Sequence, residues 1–180
     1  EMLDGQFFAK RLGPDIRAHM FREIHKLAPN TPLFVNEYGI MNSDGKTGRY
    51  IELIRDLRRR GAPVGGIGVQ EHGAAGYGRF VRGKPGGLRP GDVWKRLDRL
   101  AELGLPIHLT EISSKTPDDE LRADTLECIF RVGFAHPGVE AVLLWGFWAR
   151  RHWKGEHAAL VDADWTVNPA GKRIVELLGE

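Results

Sequence analysis

The chain has a single cysteine, Cys128, among its 180 residues. That excludes an internal disulfide and a metal cluster built on cysteine. No apolar stretch approaches the roughly 20 residues that cross a membrane as a helix, and no basic-then-apolar leader stands at the start. Neither sign of charge dominates: 26 Lys and Arg against 24 Asp and Glu leave +2, too little for the basic stripe of a nucleic-acid binder. No low-complexity linker or break in composition divides the sequence, so residues 1–180 carry one domain and no second. What is present is 42% hydrophobic, the makeup of a globular chain that buries roughly 70% of its unfolded surface at this size.

Four short apolar runs, at 32–36, 66–70, 106–110 and 140–145, are rich in branched residues and lack strict polar alternation. Strands buried on both faces read this way. Between them lie segments of helical period. Pro14 at N1 opens the first, with Ile16, Met20, Ile24 and Leu27 as its apolar stripe. Tyr50, Ile54 and Leu57 mark the second. Val93, Leu97, Leu100 and Ala101 mark the third, closed by Gly104. The fourth is capped by Asp118 or Asp119 and carries Leu121, Thr125, Cys128 and Val132 on one face, which makes Cys128 a core residue. Asn168 and Pro169 are an N-cap and N1 pair for the last, with Ile174, Leu177 and Leu178 inward. Strand ends spaced by 34 to 40 residues define a βαβ series, hence a parallel sheet with right-handed crossovers. A closed barrel and an open doubly wound sheet both satisfy that pattern.

In either architecture reactive groups collect at the carboxyl ends of strands. Those positions hold Asn36, Glu37 and Tyr38; Gln70, Glu71 and His72; Thr110 and Glu111; and Trp145 through Trp148. No dinucleotide-binding glycine fingerprint stands after any of them. Amides and carboxylates that bind hydroxyls, with indoles that stack on sugar rings, suit a polyhydroxylated substrate, and paired carboxylates are the machinery of glycoside hydrolysis. Glu37 and Glu71, by strand alternation, face away from their neighbours and read as supporting residues. Residues 78–84 have the spacing of a phosphate-binding loop, but Pro85 stands where that motif needs Ser or Thr. His152 and His157 lack a third ligand in register, so no metal is expected. Trp94 and Trp165 read as packing residues.

These motifs resemble family 10 of the glycoside hydrolases, the retaining endo-β-1,4-xylanases built on a (β/α)8 TIM barrel. The likeness covers the C-terminal half of that α/β fold. Leu-Phe-Val-Asn-Glu-Tyr at 33–38 is similar to the fifth barrel strand, Gly-Ile-Gly-Val-Gln-Glu-His at 66–72 to the sixth, and Ile-His-Leu-Thr-Glu-Ile at 107–112 to the seventh. Trp-Gly-Phe-Trp at 145–148, with Trp153 beyond it, resembles the eighth strand and its loop, and residues 1–8 resemble the segment after the fourth strand. The resemblance implies that Glu111 is the nucleophile and Glu1 the general acid/base. It implies that Asn36, Tyr38, Gln70, His72, Trp145 and Trp153 bind substrate or support the nucleophile, without metal or cofactor. The implied partner is β-1,4-xylan or a related plant polysaccharide, with no nucleic acid and no membrane. Related readings are a glucanase or mannanase on the same barrel, or a non-catalytic carbohydrate-binding half-barrel. Export is implied too, since such a polymer is cut outside the cell.

The sequence departs from the family pattern at Gly39, at Glu71, where a small residue is usual, and at 149–152, which lacks an acidic residue. Arg150, Arg151 and His152 beside the cleft would favour an acidic decoration on the polymer. With only strands five to eight and the very end of the fourth, the chain by itself is expected to be insoluble, self-associating or loosely packed, and inactive; it needs the N-terminal half of the barrel.

Overall fold

A computed structural model describes residue 3, residues 7–85 and residues 87–179. Glu1, the expected acid/base, lies outside the described residues. Four strands, β1 (Leu33–Tyr38), β2 (Val64–Gln70), β3 (Ile107–Ile112) and β4 (Val139–Leu144), form one parallel sheet in chain order. The helices are α1 (Phe7–Leu12), α2 (Ile16–Leu27), α3 (Asp44–Arg59), α4 (Gly78–Val81), α5 (Pro90–Ala101), α6 (Asp119–Ala135) and α7 (Pro169–Leu178). The expected strands are all present; β1 and β3 run two residues further than expected.

Local chemistry explains the helix boundaries. Asp118 caps α6 by accepting from the Leu121 amide at 2.9 Å, and Asn168 caps α7 by accepting from the Gly171 amide at 3.1 Å. Each satisfies an orphan donor of a first turn. Gly104 takes φ +67 just beyond α5. Pro14 instead lies in the turn before Asp15, the residue that precedes α2. α1, the short α4 and the 3-10 turns at Ile40–Asn42 and Glu156–Ala158 were not legible in the periodicity.

The core lies between strands and helices. Val35, Ile67, Val69, Ile107 and Leu109 meet Tyr50, Ile54, Leu57, Leu97, Leu100, Ile129 and Phe130, all buried. Cys128 is half-buried against this cluster, and burial pushes its thiol up to about 11, so it stays protonated. Trp94 sets its ring edge against His136, centroids 4.8 Å apart, a packing role as expected.

Two apolar faces depart from the sequence reading. α2 buries Ala18 and Phe21, while Met20, Ile24 and Leu27 of its expected stripe are exposed. α7 buries Ile174 and Leu177 but exposes Val175 and Leu178. Among the described residues each outer strand, β1 and β4, pairs on one side only.

Candidate functional site

Glycines in β2 let the strand ends converge. In register Phe34 lies beside Gly66 and Asn36 beside Gly68. A Cβ on Gly66 would come within 2.2 Å of the Phe34 ring, and one on Gly68 within 2.7 Å of Asn36 Oδ1. The β1 side chains thus lie across β2 onto β3: the Phe34 ring reaches His108, centroids 4.3 Å apart. Beneath the sheet the buried Tyr50 hydroxyl sits 2.7 Å from the Val35 carbonyl and 2.8 Å from that of Gly68, a bifurcated donor joining β1 and β2.

Asn36 uses the gap to hold Glu111. Its Nδ2 donates to Glu111 Oε1 at 2.9 Å, and its Oδ1 accepts from the Thr110 hydroxyl at 2.8 Å. Strict alternation would send Thr110 and Glu111 to opposite faces. The register shows why both reach Asn36: from Leu109 to Ile112 β3 takes three steps while β4 takes two, Val142 to Leu144. The extra residue is a bulge, which re-aims a side chain.

His72 holds the other carboxylate oxygen, its Nε2 lying 3.0 Å from Oε2. With Glu111 ionised, Nε2 carries the proton and donates, and Nδ1 accepts from the Ser113 hydroxyl at 3.2 Å. Lys154 donates from Nζ to the His72 carbonyl at 2.5 Å. Trp153 meets the His72 ring edge-on, centroids 4.7 Å apart, while Lys46 Nζ lies 3.6 Å from the centre of the Tyr38 ring.

A cleft of about 440 Å³ opens above this network, lined by Tyr38, Gln70, His72, Glu111, Trp145 and Trp153. All six were singled out in the sequence, and Asn36 binds their carboxylate from the side. Thr110, Ser113, Lys154 and the two glycines were missed as functional positions. The Gly-x-Gly spacing inside a strand was the available signal, since glycine there marks close approach of another group. Trp145 and Trp153 are exposed, with open faces in the cleft wall. Among the described residues no group of His, Cys, Asp and Glu is arranged to hold a metal.

The two flanking carboxylates are buried. Glu37 accepts from the amides of Leu3 at 2.8 Å and Tyr38 at 3.1 Å. Glu71 has no well-formed hydrogen bond to either oxygen among the described residues. Burial pushes its carboxyl up to about 7, opposed in part by the nearby Gly73 amide, Lys154 and Arg96. Its ordinary value is 4.5, so Glu71 favours the folded state fully below pH 4.5, and that contribution is lost as pH rises through 7. The change is about 3 kcal/mol. Glu71→Gln in the complete protein should therefore unfold at nearly the wild-type temperature at pH 4.5 and several degrees above it at pH 8. Parallel melting curves across that range would show that Glu71 does not titrate this way.

The loop after β4 differs from expectation. His152 is buried, its Nδ1 accepting from the Lys154 amide at 3.1 Å, and burial holds its ring below the ordinary value. Arg150 lies 5.9 Å from the Trp148 ring centre. Within this loop, Lys154 is a cation tied to the cleft residues His72 and Trp153, and sequence reasoning passed it over.

The family model for glycosyl hydrolase family 10 matches residues 2–177. Endo-1,4-beta-xylanase 2 of Arabidopsis thaliana is 43% identical over 183 aligned residues, covering all of this chain and 16% of that protein. Anti-sigma-I factor RsgI6 of Acetivibrio thermocellus is 39% identical over 181, again covering the whole chain and 22% of that protein. The crystal structure of xylanase 10B from Thermotoga petrophila in complex with xylobiose superposes with a TM-score of 0.80 at 30% identity, over 96% of this chain and 54% of that one. The chain thus spans under a quarter of these two curated relatives and about half of the solved structure.

Proposed function

The chain belongs to glycosyl hydrolase family 10 and holds the C-terminal half of its (β/α)8 barrel, and from that premise we propose that the complete protein is a retaining endo-β-1,4-xylanase. The observation that carries the reading is Glu111, its carboxylate held by Asn36 and His72 at the floor of a cleft walled by Trp145 and Trp153. Both oxygens accept hydrogen bonds, which fixes the direction of the carboxylate. Indole faces stack on the apolar faces of pyranose rings, while Gln70 and Tyr38 offer polar atoms to hydroxyls.

In the proposed double displacement, Glu111 attacks the anomeric carbon as the bond to the leaving oxygen breaks, with Glu1 supplying the proton. Water, deprotonated by Glu1, then releases the sugar from Glu111. The two carboxyls would stand roughly 5–5.5 Å apart. The 180 residues are part of this one catalytic barrel, and the proposal requires its other half: the one-sided pairing of β1 and β4 and the exposed rows on α2 and α7 support that need. By themselves the 180 residues would hydrolyse nothing detectable. Xylan is too large to enter a cell, so the substrate itself calls for action outside the cytoplasm.

The test is the complete protein on xylan, cellulose and mannan, with the first-formed anomer read by proton NMR. Xylan should be cut fastest and release the β-anomer first. An α-anomer appearing first would overturn the mechanism, and preferred cleavage of cellulose or mannan would move the assignment to a glucanase or mannanase. A second reading is a barrel that binds polysaccharide without turning it over; what favours it is that one relative, at 39% identity, is named an anti-sigma factor and not a hydrolase.

A further inference from the structure

The loop after β4 and its adjoining hairpin carry a feature that the catalytic reading does not use. Val161 and Val167 pair antiparallel, Trp165 N donates to the Asp162 carbonyl at 3.0 Å, and Asp162 N donates to the Thr166 carbonyl at 2.8 Å. In such a turn the residue at Trp165 must adopt the left-handed region, where glycine is at home. Trp165 has φ +75 and is the only non-glycine among the described residues with positive φ. A strained residue persists only where its surroundings hold it, and such outliers gather at binding sites.

The indole is held but not covered. It stacks on Trp148 with centroids 4.4 Å apart and planes 16° from parallel, yet it is 61% exposed. One face is supported and the other is open. Packing accounts for the first face only. Beside the hairpin is a cavity of about 500 Å³ whose lining includes Asp119, Arg122, Glu156, His157, Asp162 and Asp164. Arg122 is 98% buried; its terminal nitrogens are bound by the Thr116 and His157 carbonyls and by Asp119, but its Nε has no partner among the described residues. None of these residues lines the catalytic cleft.

We propose that this hairpin and cavity form a second carbohydrate site, apart from the cleft, with the open face of Trp165 as platform for a pyranose ring. The carboxylates that line the cavity accept hydroxyl protons. Four carboxylates against Arg122 and His157 select a neutral stretch of polymer over an acidic one. The proposal rests on the carbohydrate reading above and adds a place where the chain is held without being cut.

The experiment uses the complete protein with Glu111→Gln to suppress turnover, titrated calorimetrically with xylohexaose, cellohexaose and mannohexaose, with and without Trp165→Gly. Xylohexaose should fill two sites per molecule, and one after Trp165→Gly. The melting temperature should hold or rise, because glycine relieves the backbone. With Glu111 intact, Trp165→Gly should cleave a short aryl xyloside at the wild-type rate and migrate at least threefold faster through gels containing soluble xylan. Loss of one site for a different hexaose, with xylohexaose not bound, would keep this site and sink the xylanase reading. One site or none for every sugar in both variants would overturn the proposal. So would a lower melting temperature after Trp165→Gly, which would make the indole a packing element covered by other parts of the complete protein.

Discussion

Glu111→Ala in the complete protein should lower turnover of xylan by about 10⁴-fold or more, the scale on which enzymes lose rate when a nucleophile is removed. The loss should fall on kcat, because the cleft walls Tyr38, Trp145 and Trp153 remain to bind the chain. Azide can occupy the space that the carboxylate leaves between Asn36 and His72, whose donors then face an anion again. With an aryl β-xyloside, whose leaving group needs little protonation, azide should restore part of the rate. It attacks from the vacated face, opposite the leaving group, so the product is the α-xylosyl azide. A β-azide would assign Glu111 to proton transfer instead of attack. Unchanged hydrolysis by Glu111→Ala would take the nucleophile's role away from Glu111, whereas binding of xylan without hydrolysis by the wild type would leave the binding-only barrel.

Gly68→Ala should cost about 10- to 100-fold in kcat with little change in KM, although Gly68 touches no substrate. The added Cβ would meet Asn36 within 2.7 Å. Asn36 must swing away and give up both Thr110 and Glu111. A hydrogen bond to a charged group contributes about 1.5–3 kcal/mol, which sets the expected range. The mechanism has a sharp check in the double variant. If Gly68 acts only through Asn36, then Asn36→Ala with Gly68→Ala should be no slower than Asn36→Ala alone. Additive losses would mean that the alanine disturbs the strand itself, through Tyr50 beneath it.

The sequence announced the strand series because its spacing and branched runs are dictated by burial on both faces. It announced the cleft because carboxylates, amides and indoles at strand ends have few other uses together. What it hid comes from geometry that no periodicity encodes. Alternation was the only rule available for Thr110 and Glu111, and the bulge in β3 overrides it. The same rule applied to Glu37 and Glu71 matches their burial, because no bulge intervenes there. The stripe on α2 was visible as a period, but a period does not say which elements cover it. Met20, Ile24 and Leu27 are exposed among the described residues. His152 looked like a cleft residue by position and is instead folded under its own loop.

The strict chain order of the sheet has a kinetic consequence. Among the described residues every ladder joins a strand to the next one synthesised, so each of these closures spans a few tens of residues and carries little loop entropy. Assembly can proceed one strand-helix unit at a time, as the polypeptide lengthens. The contact between Asn36 and Glu111 is different, for it spans 75 residues and skips a strand. It can close only after three strands have docked. The reactive carboxylate is thus aimed late, by a contact absent from the early nucleus, and weakening that contact should hasten unfolding while leaving the folding rate nearly untouched.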